Sequence, residues 1–239
     1  MDKVEFKETI KKNLNGVNIN LSDKQKEQFY RYMEILIEWN KVMNLTRITE
    51  PTEIISKHFI DSLMVYNRIE EESKIIDVGS GAGFPGIPLK IIYPKAQITL
   101  LDSLNKRVTF LKEIIKELKL EKIEAIHGRA EDYGRDNNYR ERYDIAIARA
   151  VAPLNILIEY LMPFIKKEGK CILMKGPNAK EEIETGKNAI KTLNGQIKNV
   201  EESNIPNTDM KRTIIEITKM SSLDKKYPRN SAKIQKKPL

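Results

Sequence analysis

Three glycines alternate in the run Asp77-Val78-Gly79-Ser80-Gly81-Ala82-Gly83-Phe84-Pro85-Gly86, with an acid two residues ahead of the first. Glycine removes the Cβ where a backbone must turn tightly or come close to a ligand. Lys74-Ile75-Ile76 before the run reads as a buried strand, and Ile87 to Tyr93 after it as the opening of a helix. Strand, glycine turn and helix in that order make a nucleotide-cofactor site, because a helix N-terminus presents unpaired N–H groups. Gly79, Gly81 and Gly83 are the first candidate contacts. Asp77, at the strand end, would accept hydrogen bonds from a cation. That suits S-adenosylmethionine (SAM), whose ammonium and sulfonium are positive, better than a dinucleotide, whose pyrophosphate the acid would repel. The dinucleotide fingerprint is Gly-x-Gly-x-x-Gly, and the spacing alone leaves NAD open.

The elements that must position this turn alternate from Lys74 onward as strand and helix, which implies a parallel sheet covered on both faces. Strands are predicted at Lys74–Ile76, 97–101, 123–127, 143–149 and 169–175, with a helical stripe of Leu104, Val108, Leu111, Ile115 and Leu118 after the second. Two further strand-like runs, 196–200 and 213–218, are joined by a loop too short for a helical crossover, so they pair antiparallel as a hairpin. The expected fold is α/β and Rossmann-like: a seven-stranded sheet with an antiparallel final hairpin, as in class I SAM-dependent methyltransferases. Residues 1–73 form a helical extension packed on this core, 74–219 the cofactor domain and 220–239 a tail. Within the extension, residues 1–45 read as helical throughout. Ser22-Asp23-Lys24-Gln25 has the form of a capping box, and Tyr32 and Trp39 lie on an amphipathic face, where aromatics are core rather than base-stacking groups. Pro51 opens a second helix that carries His58.

Open α/β sheets bind ligands at the carboxyl ends of their strands. The second strand ends in Asp102, placed to accept ribose hydroxyls of either cofactor. Ala130 and Glu131 follow the third strand, where an adenine edge would lie. The fourth ends in Arg149, which is costly to bury without an anion. A ligand carboxylate, an RNA phosphate, or a salt bridge to Asp77 or Asp144 would serve. The Asn/Asp-Pro-Pro-Tyr/Phe loop of exocyclic-amine methylation is missing: Arg149-Ala150-Val151-Ala152-Pro153-Leu154 stands in its place. Cys171, the only cysteine, lies inside a strand as a small buried hydrophobe and is misplaced as the nucleophile that pyrimidine carbon methylation needs. The remaining target is one already nucleophilic, such as guanine N7, for which positioning and water exclusion do most of the work.

The 239 residues are enough for one medium domain plus an extension. One cysteine and two histidines argue against a disulfide framework or a metal site. No apolar run is long enough to span a bilayer and the first residues lack a signal-peptide pattern, so a cytoplasmic protein is expected. The net charge of +8 is concentrated at the end: Lys219, Lys225, Lys226, Arg229, Lys233, Lys236 and Lys237 stand against Asp224 alone. Such a cluster suits a polyanion, and the tail cations are candidate RNA contacts.

Taken together, these residues resemble the bacterial small-subunit rRNA guanine-N7 methyltransferase G family, also called glucose-inhibited division protein B. The resemblance rests on Trp39-Asn40, Asn44-Leu45-Thr46, Lys57-His58-Phe59-Ile60-Asp61-Ser62-Leu63, the glycine run continued through Ile87-Pro88-Leu89, Arg149-Ala150-Val151-Ala152, Lys175-Gly176, Tyr227-Pro228-Arg229 and Lys237-Pro238-Leu239. It implies SAM as donor, 16S rRNA or a small-subunit assembly intermediate as partner, 7-methylguanosine in the decoding-region loop as product, and a monomer. Residue by residue, it implies donor contacts at Gly79, Phe84, Ala130, Glu131 and Arg149, with Asp102 on the ribose. Arg149, His58 and Lys175 are the candidates for the reaction centre, with Asp61 and the tail shaping the RNA pocket. Relatives have a glycine-containing turn after Tyr-Pro-Arg where this chain has Asn230-Ser231-Ala232-Lys233-Ile234-Gln235. A small-molecule SAM methyltransferase, an NAD-linked oxidoreductase and a non-catalytic RNA-binding factor are the competing readings.

Overall fold

The structure, a computed structural model, describes all 239 residues. Seven strands form one sheet in the order β3-β2-β1-β4-β5-β7-β6. The strands are β1 (Lys74–Val78), β2 (Gln97–Asp102), β3 (Ile123–His127), β4 (Tyr143–Arg149), β5 (Ile165–Lys175), β6 (Gly195–Asn204) and β7 (Lys211–Lys219). The first five are parallel, and β7 runs antiparallel between β5 and β6. β5 starts four residues before its predicted position and β6 runs four beyond, because strand pairing continues through polar residues that carry no hydrophobic signal.

Alternation along each strand divides the interior in two. Ile145 and Ile147 of β4 enter a 37-residue cluster on one face, while Ala146 and Ala148 enter a 23-residue cluster on the other. The larger cluster is roofed by α1 (Lys3–Leu14), α2 (Asp23–Met43), α5 (Gly86–Ile92) and α6 (Asn105–Glu117). It runs from Phe6 to Ile214, so the N-terminal helices and the sheet are buried against each other across residue 73. The smaller is covered by α8 (Leu154–Leu161), α9 (Ala179–Thr192) and tail residues Leu223 and Tyr227. Cys171 is buried there 3.8 Å from the Met162 sulfur, and burial pushes its thiol pKa up.

The helical start is broken between Leu14 and Ser22, where Asn18 takes a left-handed φ of +54°. Ser22 then caps α2, its hydroxyl and the Gln25 side chain each satisfying the other's backbone N–H. Left-handed Asn44 ends α2. The Pro51 helix is not uniform. Its first turn, α3 (Pro51–Ile54), widens into a π-helix over Ile55–Ile60 before α4 (Asp61–Leu63) closes it. His58 therefore sits in a π-helical turn, a geometry that concentrates at functional sites.

Candidate active site

Two cavities open along the carboxyl ends of the parallel strands and share one wall, Val151. The first, about 340 Å³, lies between Val78-Gly79, Ser103-Leu104, the turn Gly128 to Glu131 that opens α7 (Ala130–Tyr133), and Tyr160 of α8. Ser231 and Gln235 of a short C-terminal helix, α10 (Ser231–Lys236), complete it. Gly79 has φ +75°, and a Cβ there would lie 2.7 Å from Val151 Cγ2, so a side chain at 79 would displace the wall between the cavities.

The glycine turn is held from beneath. Gly79 and Ser80 N–H donate to the Leu101 carbonyl at 2.7 and 3.2 Å, Gly81 N–H to Asp102 Oδ2 at 2.8 Å, and Gly86 N–H to Asp77 Oδ2 at 2.9 Å. From the side, the Tyr32 hydroxyl donates to the Ala82 carbonyl. Tyr32 is fully buried, as its amphipathic face implies, yet it also braces the ligand loop.

Gly79, Ala130 and Glu131 line the first cavity; Gly81, Gly83, Phe84, Asp77 and Asp102 do not. Asp102 is almost fully buried and also accepts the Leu104 N–H at 2.9 Å, which ties the end of β2 to the glycine turn. A carboxylate offers about four lone-pair sites, so capacity for ribose hydroxyls remains. Asp77 is fully buried, and its Oδ1 is the one buried side-chain nitrogen or oxygen without a hydrogen-bond partner. Burial raises its pKa to about 7. A buried carboxylate oxygen left unpaired beside a glycine turn fits a cationic ligand group, which would satisfy it and favour its charged form.

The second cavity, about 610 Å³, brings His58, Asp61, Arg149 and Lys175 together and adds Lys57, Glu182 and Arg212. Arg149 pairs with neither Asp77 nor Asp144. Its Nη1 donates to Asp61 Oδ2 at 2.7 Å and to the Lys57 carbonyl at 3.2 Å, while Asp144 is taken by Lys166 and the Lys74 N–H. Arg212 binds the same carboxylate, Nε to Oδ1 at 2.7 Å and Nη2 to Oδ2 at 3.1 Å. Two guanidiniums thus share one fully buried acid. The Lys175 ammonium donates to the Ala152 carbonyl at 2.6 Å and pairs with Glu182 at 2.7 Å, which pins the loop carrying Val151. Four cations against two carboxylates leave this lining positive.

Phe84 is a platform for two residues of the second cavity. His58 stacks on it at 4.4 Å and the Arg149 guanidinium lies 4.9 Å from its centroid. Burial, and then the Arg149 charge, hold the His58 pKa down at about 3. Arg149 Nη2 can only donate, so His58 Nδ1 accepts at 3.2 Å and the ring proton is on Nε2, 2.8 Å from Thr46 Oγ1. Both ring nitrogens are occupied. Its buried ring is held neutral, between Arg149 and Thr46.

The structure gives some of the tail cations acidic partners and leaves others without them. Arg229 is bound by the fully buried Glu159, with bonds of 2.7 to 3.1 Å from its side chain and one of 2.8 Å from its backbone N–H. Lys219 is itself fully buried and donates to Glu141 at 2.6 Å. Lys226 pairs with Asp224 at the surface. Lys233, Lys236 and Lys237 remain exposed without acidic partners. Tertiary pairing, invisible to a charge count, accounts for the difference.

Comparison with known proteins decides the family. A model of the family described as rRNA small subunit methyltransferase G matches residues 25–214. The chain belongs to the rRNA small subunit methyltransferase G family. The ribosomal RNA small subunit methyltransferase G of Thermoanaerobacter sp. (strain X514) is 53% identical over 215 residues, 89% of this chain and 90% of that protein. That of Acetivibrio thermocellus is 48% identical over the full length of both. Among solved structures, P. horikoshii TYW2 in complex with MeSAdo is similar with a TM-score of 0.54 at 16% identity, over 70% of this chain and 62% of that one. The Methanococcus jannaschii fibrillarin pre-rRNA processing protein gives 0.51 at 20% identity, over 64% and 69%. These likenesses place the sheet in the class I methyltransferase fold expected from the strand pattern. Arg212, Lys57, Val151, Ser231 and Gln235 line the two cavities and were not among the residues expected there from the sequence. Arg212 had a signal: β7 is antiparallel, so its first residues return to the edge where Arg149 and Lys175 end their strands, and Thr213 pairs with Lys175.

Proposed function

We propose that this protein transfers a methyl group from SAM to N7 of a guanine in the decoding-region loop of 16S rRNA, acting in the cytoplasm as a monomer. The observation that carries this reading is the pair of cavities meeting at Val151: a cleft on the glycine turn and a positive pocket beside it. Gly79, Ala130, Glu131 and Asp102 would hold the nucleoside part of the donor, and Asp77 would satisfy its ammonium. Bound there, SAM supplies an electrophilic methyl group. The second cavity is proposed to take a guanosine drawn out of the RNA, as enzymes that modify bases do. Arg149, Arg212 and Lys175 favour the approach of phosphate, and the Asp61 carboxylate, which takes the Nε and Nη2 donors of Arg212 and one Nη of Arg149, holds both guanidiniums in place beside the cavity. Guanine N7 carries a lone pair and no proton, so the reaction asks nothing of a base. A neutral His58 with both nitrogens occupied accords with that demand. Positioning and exclusion of water by the loop at Val151 are then the protein's contribution.

The test uses 16S rRNA from a strain without this activity, treated with protein and SAM and then with borohydride and aniline, which cleave at 7-methylguanosine. One new SAM-dependent cut in the decoding-region loop is expected. No cut, with SAM binding present by calorimetry, would overturn the target assignment; absence of SAM binding would overturn the donor as well. No helix is long and apolar enough to cross a membrane.

A further inference from the structure

Every contact assigned so far to the donor cleft comes from the sheet and its loops, yet part of the wall is built by the last helix of the chain. Ser231 and Gln235 both line the cleft. They are one helical turn apart on one face of α10, while Ile234 is fully buried. The helix is held firmly. Asn230 caps it by accepting the Lys233 N–H at 2.9 Å, and Arg229, immediately before it, is locked to buried Glu159 of α8. Arg135 donates to the Pro228 carbonyl at 3.0 Å and Arg140 to the Tyr227 carbonyl at 2.7 Å, so the loops after β3 fasten the same segment. This wall is not a loose end resting over a cavity. It is tied to the two elements, α8 and the post-β3 segment, that border the adenine side of the cleft.

The polar atoms on this wall form a set. Gln235 Nε2 donates toward Ser231 Oγ at 3.4 Å, and Ser231 Oγ lies 3.4 Å from the Tyr160 hydroxyl. The Gln235 amide nitrogen is thereby turned to its own helix, while its carbonyl oxygen makes no bond to the protein. Glu131 also lines the cleft, so beside the hydroxyls of Ser103, Tyr160 and Ser231, which can donate as well as accept, the cleft holds two side-chain groups that only accept, the Glu131 carboxylate and the Gln235 carbonyl. An exocyclic amino group carries two N–H donors and is matched by two such acceptors.

We propose that Gln235, oriented by Ser231, accepts a hydrogen bond from the exocyclic amino group of the donor's adenine, which makes the C-terminal helix a specificity element of the cofactor site. This rests on the SAM reading above. Gln235 is exposed, so its replacement leaves the fold intact and the effect can be read as binding. The probes are S-adenosylhomocysteine and its 6-desamino purine analogue, titrated calorimetrically into the full-length protein and into Gln235→Ala. Loss of one neutral hydrogen bond predicts a Kd for S-adenosylhomocysteine raised about threefold to tenfold in the variant. The desamino analogue should bind wild type more weakly than S-adenosylhomocysteine and should lose little further in Gln235→Ala. Ser231→Ala should show a smaller loss with the same selectivity. Equal weakening of both ligands, or no weakening of either, would overturn the proposal. A wild-type protein that binds neither would overturn the donor reading itself, a result separate from a Gln235 variant that behaves as wild type.

Discussion

Asp61→Asn tests the centre of the second cavity. The carboxylate is fully buried and accepts three hydrogen bonds from two guanidiniums, at 2.7, 2.7 and 3.1 Å. Asparagine keeps one carbonyl acceptor but removes the charge and turns an N–H donor toward groups that can only donate. Breaking a buried ion pair by neutralising one partner costs about 3–5 kcal/mol. The Arg149 and Arg212 side chains keep 11% and 18% of their surface exposed, so both can recover some water, and the lower end, about 3 kcal/mol, is expected. For a chain of this length that is a fall in Tm of roughly 6–12 °C. Urea denaturation at pH 7 measures it. The same loss repeated in an Arg212→Gln background closes a double-mutant cycle, in which Asp61→Asn should cost at least about 1 kcal/mol less. A destabilisation below about 1 kcal/mol, or an additive cycle, would refute the view that one buried acid holds both arginines.

Other outcomes are expected from the same geometry. Burial holds Asp77 protonated in the fold up to about 7, against 3.8 in the open chain, so its contribution to stability is lost as pH rises between those values; His58, held at about 3 against 6.5, loses its contribution as pH falls through its own window. Asp77→Asn should therefore gain on wild type with rising pH in urea titrations from pH 5 to 8. Donor binding at pH 6 should release a proton in wild type and not in the variant; equal proton release in both would exclude Asp77 as the ammonium partner. Gly79→Ala, at φ +75° and 2.7 Å from Val151, should abolish measurable donor binding, with partial recovery in Gly79→Ala/Val151→Ala because only the clash and not the backbone strain is relieved. Arg229→Gln leaves Glu159 charged and buried, and should cost about 3 kcal/mol and expose the chain after Pro228 to trypsin at Lys233 and Lys236. Replacing Lys233, Lys236 and Lys237 by Gln should reduce the salt dependence of RNA binding by a slope of about 2, the value for three released counterions on single strands; an unchanged slope would remove the tail from the RNA interface.

What could be read before the structure follows from how far along the chain each relationship reaches. The glycine turn, Asp102, Ala130, Glu131 and Arg149 were legible because a parallel sheet puts every strand's carboxyl end on one edge, so local strand patterns suffice to collect them. The partner of Arg149 was not. Asp61 belongs to a helical segment 88 residues away, and no periodicity relates a helix before the sheet to the end of its fourth strand. The π-helical widening around His58 was equally hidden, since an apolar spacing compatible with one helical pitch tolerates one extra residue per turn.

The tail shows the reverse case, in which a correct charge count leaves out how its members are paired. Seven cations against one acid imply a polyanion contact only if the charges are free, and two of the seven, Lys219 and Arg229, are spent on Glu141 and Glu159. Both acids lie far back in the chain, one beside β4 and one in α8. Their pairing turns the tail inward, and the six residues of α10 are too few for a 3.6-residue pattern to declare a face. Yet the i, i+4 spacing of Ser231 and Gln235 around Ile234 is the arrangement a short helix needs to bury one residue and offer two polar groups to a cleft. On the proposed reading, a terminus that lines the donor cleft with Ser231 and Gln235 and presents Lys233, Lys236 and Lys237 outward would put donor contact and polyanion contact on one segment, so a change in either should be sought in the affinity for both.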